Sequence, residues 1–188
     1  MINSNLTVDE GFVREIQDRL EGIENKAPRV IANALNRTMM NLATNINKDL
    51  RAKYHIKSTD IRETLIKKRA NANDLTASVK SKGGVIGLDH FKVMPKKVVP
   101  KRKIPIKTAV KKSGVKQLPG AFVAETNGLK VFIRDTQKRF PIRRLYGPSI
   151  PQMLKNEGIS NELNEKALEM FSQRIEHEIS RLMDGGNQ

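Results

Sequence analysis

The chain has 188 residues, 38% of them hydrophobic, which is too many for a disordered polypeptide and enough for a packed, mostly aliphatic core. It has no cysteine, which excludes disulfides and cysteine-ligated metals, and it has neither a signal-peptide pattern nor the ~18-residue apolar run of a membrane span, so we expect a soluble protein. The formal net charge is +15, and residues 51–150 hold 25 basic and 6 acidic residues, so this middle segment should attract polyanions and repel basic partners.

Two helical patterns occupy the first fifty residues. Thr7 and Glu10 have the spacing of a capping box, in which each side chain bonds to a backbone amide near the other. Apolar residues then follow at intervals of three and four, first from Val13 to Ile23 and again from Ile31 to Leu50. A proline lies between the two runs. Residues 1–56 are therefore predicted to form two helices or one bent helix.

A further helix start is expected at Ser58-Thr59-Asp60, whose side chains suit an N-cap before Ile61 and Leu65. From about residue 75 the apolar period changes from 3.6 to 2. Residues 75–135 are predicted to form a basic β-sheet.

The clearest strand pattern is a hairpin around Asn127-Gly128, which separates two apolar runs as a two-residue turn requires. This turn would place Val123 opposite Phe132. It would also place Glu125 opposite Lys130, where opposite charges attract each other across the strands.

Upstream of the hairpin, residues 92–119 are predicted to form a Pro- and Lys-rich edge strand or extended arm. Prolines recur every five residues there and cannot donate to a sheet ladder. Apolar side chains alternate with lysines, so one face should be buried while the other presents Lys103, Lys107 and Lys111. The buried positions of this strand are expected to be Ile104, Ile106, Thr108 and Val110.

Residues 148–188 are predicted to be helical. Ser149 and Gln152 have the spacing of a capping box for a short helix that Gly158 would close. Apolar residues from Leu163 to Leu182 then mark a final amphipathic helix that ends at Gly185-Gly186. Helices, strands and helices follow one another in separate blocks. This order predicts a single α+β domain, 1–188, in which an antiparallel sheet of about 4–5 strands is flanked by N-terminal and C-terminal amphipathic helices.

No pattern indicates catalysis. His55, His90 and His177 have neither a metal-ligand spacing nor a nucleophile nearby in sequence, and the carboxylates of the basic middle segment are dispersed. The double glycines are not followed by the Lys-Ser/Thr of a phosphate loop. We therefore predict a protein that is not an enzyme and has no cofactor or metal site.

The basic residues of the middle segment have two interpretations. Lysines on an edge strand can be a solvated face that prevents aggregation. Alternatively they contact a polyanion or a partner protein, as the size of the charge imbalance favours, and Arg143-Arg144 lie beside a predicted helix N-terminus. DNA, RNA, an anionic membrane and an acidic protein would all satisfy this field, and any nucleic-acid contact should be to phosphates and independent of base sequence. The candidate contact residues are Lys92, Lys96, Lys97, Lys101, Arg102, Lys103, Lys107, Lys111, Lys112, Lys116, Arg139, Arg143 and Arg144.

Several segments, taken in order, resemble the minor tail protein Z family of tailed bacteriophages and prophages. The resemblance spans roughly residues 30–155 and is strongest at Leu145-Tyr146-Gly147-Pro148-Ser149. The other segments are Ala34-Leu35-Asn36-Arg37, Tyr54-His55-Ile56, Gly87-Leu88-Asp89-His90-Phe91, Pro119-Gly120-Ala121-Phe122-Val123-Ala124, Val131-Phe132-Ile133-Arg134 and Pro141-Ile142-Arg143-Arg144.

The resemblance implies a non-enzymatic structural protein of the virion, made in the host cytoplasm, that acts in tail completion and head–tail joining at the head-proximal end. The implied partners are neck and tail proteins (tail tube or terminator, and connector), further copies of the chain in a ring matching the sixfold tail, and the genomic DNA end, with no membrane contact. A basic face would then meet the DNA during its delivery. The alternative, motivated by charge alone, is a sequence-independent nucleic-acid-binding protein of the host or prophage.

Overall fold

The computed structural model describes residues 2–101 and 103–185. The α-helices in this part of the chain are α1 (Glu10–Arg19), α2 (Ala27–Lys53), α3 (Ser58–Arg62), α4 (Ile150–Leu154) and α5 (Glu157–Gly185), and short 3-10 helices lie at Glu24–Lys26 and Leu88–His90. The strands are β1 (Ile2–Thr7), β2 (Leu65–Lys68), β3 (Thr76–Ser81), β4 (Ile86–Gly87), β5 (Lys92–Met94), β6 (Ile106–Ala109), β7 (Lys116–Leu118), β8 (Ala121–Glu125), β9 (Leu129–Arg134), β10 (Ile142–Arg144) and β11 (Tyr146–Gly147).

The chain divides into two compact units. Unit 1 consists of Met1–Ile46, Leu65–Lys82 and Leu154–Gln188, and unit 2 of Asn47–Thr64 and Gly83–Met153. Unit 1 therefore holds α1, most of α2, the strands β1 to β3 and α5. Unit 2 holds the end of α2, then α3, the strands β4 to β11 and all of α4 except its last residue.

Unit 1 confirms the predicted helices. The first fifty residues contain the helix α1 and most of α2, and the apolar stripe of α2 is fully buried. The capping box predicted for α1 is wrong, because Asp9 is the N-cap and its carboxylate accepts the Phe12 amide at 2.8 Å. Thr7 instead belongs to β1. The buried residues of the α2 stripe are Ile31, Leu35, Met39, Leu42, Ile46 and Leu50.

The long C-terminal helix α5 is also confirmed, and it buries Leu163, Ala167, Ile175 and Ile179. Gly158 does not close the preceding helix. That helix, α4, ends at Leu154, and Gly158 lies in the first turn of α5.

Unit 1 also contains a three-stranded antiparallel sheet in the order β1-β3-β2. The sequence patterns predicted neither outer strand. Leu65, expected in a helix, lies in β2, since α3 ends at Arg62. The helix start predicted at Ser58-Thr59-Asp60 is confirmed, but Lys57 occupies the cap position without a side-chain cap bond, and the Ser58 hydroxyl accepts from the Asn47 amide at 2.9 Å.

The strands of unit 2 form small sheets in the orders β5-β6-β7, β10-β9-β8 and β11-β4, all antiparallel. The expected single sheet of about 4–5 strands is therefore not what the described residues form. Pro119 and Gly120 separate β7 from β8, and Gly120 has a φ of +74°, which favours a turn over a continued strand. The class of mixed helix and antiparallel sheet is confirmed.

The hairpin of β8 and β9 exists, but its register differs by one residue from the prediction. Val123 lies opposite Val131, and Phe122 lies opposite Phe132 with the ring centres 6.0 Å apart. The connection has three residues between Glu125 and its partner Leu129, and the extra loop residue shifts every pair. The better apolar pairing replaces the expected Glu125–Lys130 contact.

The strand β6 was expected at a sheet edge, but it is the central strand between β5 and β7. Its prolines lie outside it: Pro105 precedes its first residue, so every ladder position can pair. The buried positions Ile106 and Thr108 are confirmed, whereas Val110 is only half-buried and Ile104 is 67% exposed. Lys103 and Lys111 flank the strand, which leaves Lys107 as the lysine within it.

Candidate polyanion-binding site

The two units differ sharply in charge. Unit 2 contains 21 of the 35 Lys and Arg residues and 6 of the 20 Asp and Glu residues, a formal charge of +15. The remaining 14 basic and 14 acidic residues belong to unit 1 and cancel. The net positive charge of the chain therefore belongs to unit 2.

Backbone hydrogen bonds in unit 2 join the end of α2 to the chain that follows β6. The Lys112 amide donates to the Lys53 carbonyl, and the His55 amide to the Val110 carbonyl, each at 2.9 Å. Tyr54 forms an isolated antiparallel bridge with Lys111. These contacts hold two segments together although they are far apart in sequence, and they fix one wall of a cleft.

This cleft, the basic cleft, has a volume of about 570 Å³. Its floor is apolar and includes the buried side chains of Tyr54, Phe91 and Val93. None of the described residues that line it carries a carboxylate. Its basic lining residues are Arg51, His55, Lys57, His90, Lys92, Lys96 and Lys112.

The electrostatics of the cleft oppose any further positive charge. The pKa of His55 is lowered from its ordinary value of 6.5, first by burial and then by the ammonium groups of Lys92 and Lys112. Burial also raises the pKa of the Tyr54 hydroxyl from its ordinary value of 10.0. A bound anion would relieve the repulsion among these cations.

Two carboxylates lie beside His90, one of the lining residues of the cleft. Oδ1 of Asp60, a residue of α3, lies 3.1 Å from Nδ1 of His90. Arg144 donates hydrogen bonds to both carboxylate oxygens of Asp89. The Asp89–Arg144 pair is mostly buried, so its charges neutralise each other inside the unit. Oδ2 of Asp89 also lies 3.7 Å from Nε2 of His90, so both carboxylates lie beside this lining residue of the cleft.

Two glycines allow the segments beneath the cleft to approach closely. A Cβ at Gly147 would lie 2.6 Å from Cε2 of Phe91, and one at Gly87 would lie 2.6 Å from Oδ1 of Asp89. The Leu88 amide also donates to the Leu145 carbonyl at 3.1 Å. The residues around Gly87 and those around Gly147 thus pack on each other and support Phe91, which forms part of the cleft floor.

The family described as prophage minor tail protein Z (GPZ) has a sequence model that matches residues 11–184. The chain belongs to this family. No curated protein matches the chain significantly. No solved structure does so either. As a member of the family it is a structural protein of the phage tail and a component of the virion.

Within the described part of this minor tail protein, no helix is long and apolar enough to cross a membrane. No group of three or more potential metal-ligating side chains occurs there either.

The predicted contact residues of the minor tail protein fall into several groups. Lys92, Lys96 and Lys112 line the basic cleft. Lys97, Lys101 and Lys103 line a second groove of about 530 Å³, together with apolar side chains of the β5–β6 connection and of β8. Arg102 lies outside the described residues.

The other predicted lysines belong to neither the cleft nor the groove. Lys107 is exposed on β6 between its cross-strand neighbours Met94 and Gln117. Lys111 and Lys116 are exposed at the ends of the same sheet region.

The predicted arginines are partly engaged by carboxylates. Arg143 forms a surface ion pair with Asp135 at 3.1 Å and remains exposed, whereas Arg144 is held by Asp89 at 2.9 Å in a partly buried pair. Arg139 is exposed and lies over the Phe140 ring.

Four basic residues of the cleft were not predicted: Arg51, His55, Lys57 and His90. Arg51 lies in the last turn of α2, and Lys57 follows that helix. Only the two histidines had a signal in the sequence, because His55 and His90 lie inside two of the segments that resemble the family. Such positions indicate a shared structural feature, but they do not reveal that the two segments meet.

Proposed function

We propose that this minor tail protein acts in tail completion and head–tail joining at the head-proximal end of the tail. In this position unit 2 contacts the phosphates of the DNA end that passes from the head into the tail. Family membership supports a location in the tail. The DNA contact is inferred from charge, because the whole net charge of +15 lies in unit 2.

The proposed contact is electrostatic. Lysines and arginines that neutralise phosphates release condensed counterions, and this release favours binding to any base sequence. A protein at the tail entrance meets whatever sequence lies at the genome end, so contacts to the backbone suit the task. The exposed lysines of unit 2 can supply such contacts without any contact to the edges of the bases.

The proposed partners are neighbouring tail and neck proteins, including the tail tube or terminator and the connector, and further copies of the chain in a ring matching the sixfold tail. Large apolar side chains exposed on this chain support protein contacts, since an assembly would cover them. Those on unit 1 include Leu168 and Met183 of α5, and those on unit 2 include Phe140 and Ile104.

Deletion of the gene from an inducible prophage tests the placement. The proposal expects filled heads and full-length tails that do not form infectious joined particles, with infectivity restored by the gene supplied in trans. Gold-labelled antibody against the protein should mark the head-proximal end of wild-type tails in electron micrographs. Label at the distal tip, or normal infectious particles without the protein, would contradict the proposal.

The DNA contact is tested by replacing the cleft residues Lys92, Lys96 and Lys112 together with Gln. All three side chains are exposed, so the variant should fold, and its unfolding temperature should equal that of the wild type. We expect it to enter particles but to impair assembly or DNA delivery. Fully infectious particles would show that these three lysines are only a solvated surface.

The second candidate is a sequence-independent nucleic-acid-binding protein that acts outside the particle. Its support is the charge of unit 2 alone. The composition of purified virions separates the two candidates, because the second one predicts particles that lack the protein.

A further inference from the structure

We infer that the basic cleft is the seat of backbone phosphates of a nucleic acid, and that Lys97, Lys101 and Lys103, which line the second groove, lie outside this seat. This inference rests on the proposed DNA contact and specifies where that contact is made. It separates two groups of lysines that are neighbours in sequence and similarly exposed.

Convergence from distant segments distinguishes the cleft from a solvated lysine surface. Arg51 comes from α2, Lys57 from the turn before α3, Lys92 from β5 and Lys112 from the chain after β6. The backbone bonds from Lys112 to Lys53 and from His55 to Val110 hold these segments in place. Cations that are brought together in a concave site repel one another, and an anion with several charged oxygens reverses that cost.

The floor of the cleft favours phosphate contact over base contact. Tyr54 and Phe91 are 6% and 3% exposed, so their rings are covered and offer no face for a base to stack on. The cations around them can reach phosphates, which every nucleotide presents. Binding in the basic cleft should therefore be independent of the base sequence.

The permanent charges of the cleft suit a phosphate backbone. Four of the five are lysines, and an ammonium group is a point charge that binds phosphate oxygens from many directions. An acidic protein segment would meet the same charges, so the salt titration separates the two occupants.

A salt titration with the purified full-length chain tests the inference. Fluorescence anisotropy would follow binding to a duplex and to a single strand of equal length. The test variant is Lys92→Gln with Lys112→Gln, and the matched control is Lys97→Gln with Lys103→Gln, which removes the same charge outside the cleft. Circular dichroism would establish that both variants are folded.

The test variant should lose about 1.8 from the magnitude of the log–log salt slope for duplex DNA, or about 1.4 for a single strand, because each phosphate contact contributes roughly 0.9 or 0.7. The control should keep the wild-type slope. Equal losses in both variants would contradict the location of the phosphates in the basic cleft, while leaving the proposed DNA contact of unit 2 intact. A wild-type chain with no salt-dependent binding would overturn the DNA contact itself.

A nuclear magnetic resonance measurement gives a second, local readout. Titration of inorganic phosphate and then of the single strand should shift the ring signals of His55 but not those of His177 on α5, and the shifts should be lost in the Lys92→Gln, Lys112→Gln variant. Unchanged His55 signals on DNA binding would contradict the inference. If the variant loses head–tail joining but keeps the wild-type salt slope, the cleft instead binds an acidic protein.

Discussion

Nη2 of Arg144 donates to both carboxylate oxygens of Asp89, at 2.9 and 3.2 Å, and so joins two segments that are 55 residues apart. The side chains are 27% and 18% exposed, which partly shields the pair from water. Arg144 also lies over the ring of Tyr146, with 5.2 Å from Cζ to the ring centre. An arginine that looks like a ligand contact in the sequence is therefore part of the framework beneath the basic cleft.

Replacement of Asp89 by Asn should destabilise the protein by about 1–2 kcal/mol, because the partly buried guanidinium of Arg144 loses its counter-charge. The control is Asp135→Asn, whose partner Arg143 is exposed, and its cost should be about 0.5 kcal/mol or less. Urea unfolding measures both. Equal losses would mean that the Asp89–Arg144 pair is no more important than a surface ion pair.

Gly147→Ala should cost about 1–3 kcal/mol, since the new methyl group would overlap the Phe91 ring, which is enclosed and cannot move freely. A methyl group added at Gly114 would meet no atom within 4 Å, so Gly114→Ala should change the free energy of unfolding by about 0.5 kcal/mol at most. Thermal unfolding compares the two variants. A Gly147→Ala variant as stable as the wild type would refute the close approach.

Asn36 makes a two-way contact inside unit 1: its Nδ2 donates to the Ala70 carbonyl and its Oδ1 accepts the Ala70 amide, each at 2.9 Å. Asn36→Ala should cost about 1–3 kcal/mol, because both backbone groups of Ala70 lose their partner. Asn41→Ala removes an exposed bond to the Arg37 carbonyl and should be nearly neutral. The midpoint of chemical denaturation distinguishes them, and similar midpoints would contradict this role of Asn36.

The lowered pKa of His55 makes a prediction about pH. The unfolded chain binds a proton on this residue more readily than the folded one, so its contribution to stability is complete above the ordinary pKa of 6.5 and declines as the pH falls below that value. Lys92→Gln should raise the pKa of His55 in a proton-resonance titration, whereas Lys107→Gln should leave it unchanged. The same pKa in wild type and the Lys92→Gln variant would contradict the charge coupling.

The helices could be predicted from the sequence because burial of an amphipathic helix depends on a local period. The capping box of α4 was predicted for the same reason, and both of its bonds are present: Ser149 N to Gln152 Oε1 at 2.8 Å and Gln152 N to Ser149 Oγ at 3.3 Å. Features whose cause lies within one turn of the chain leave a signal in the residues themselves.

Features that depend on distant partners could not be predicted in this way. The hairpin register follows from a three-residue connection and from the stacking of Phe122 on Phe132, and a two-residue turn at Asn127-Gly128 fits the sequence equally well. The cleft needs Lys112 and Lys53 to meet, which no periodicity indicates. The sorting of charge along the chain did predict a basic region, but not its division into cleft, groove and internal ion pairs.

Photocrosslinking inside the infectious particle probes the contact between unit 2 and the genome without purifying the chain. A photoreactive amino acid would replace Ser113, an exposed neighbour of the cleft lysine Lys112, and in a control it would replace Leu168, which is exposed on α5 of unit 1. After irradiation, we expect the probe at position 113 to crosslink to the terminal restriction fragment of the phage genome, and the probe at position 168 to crosslink to protein. Crosslinks to protein alone at both positions would contradict the claim that unit 2 contacts the DNA end.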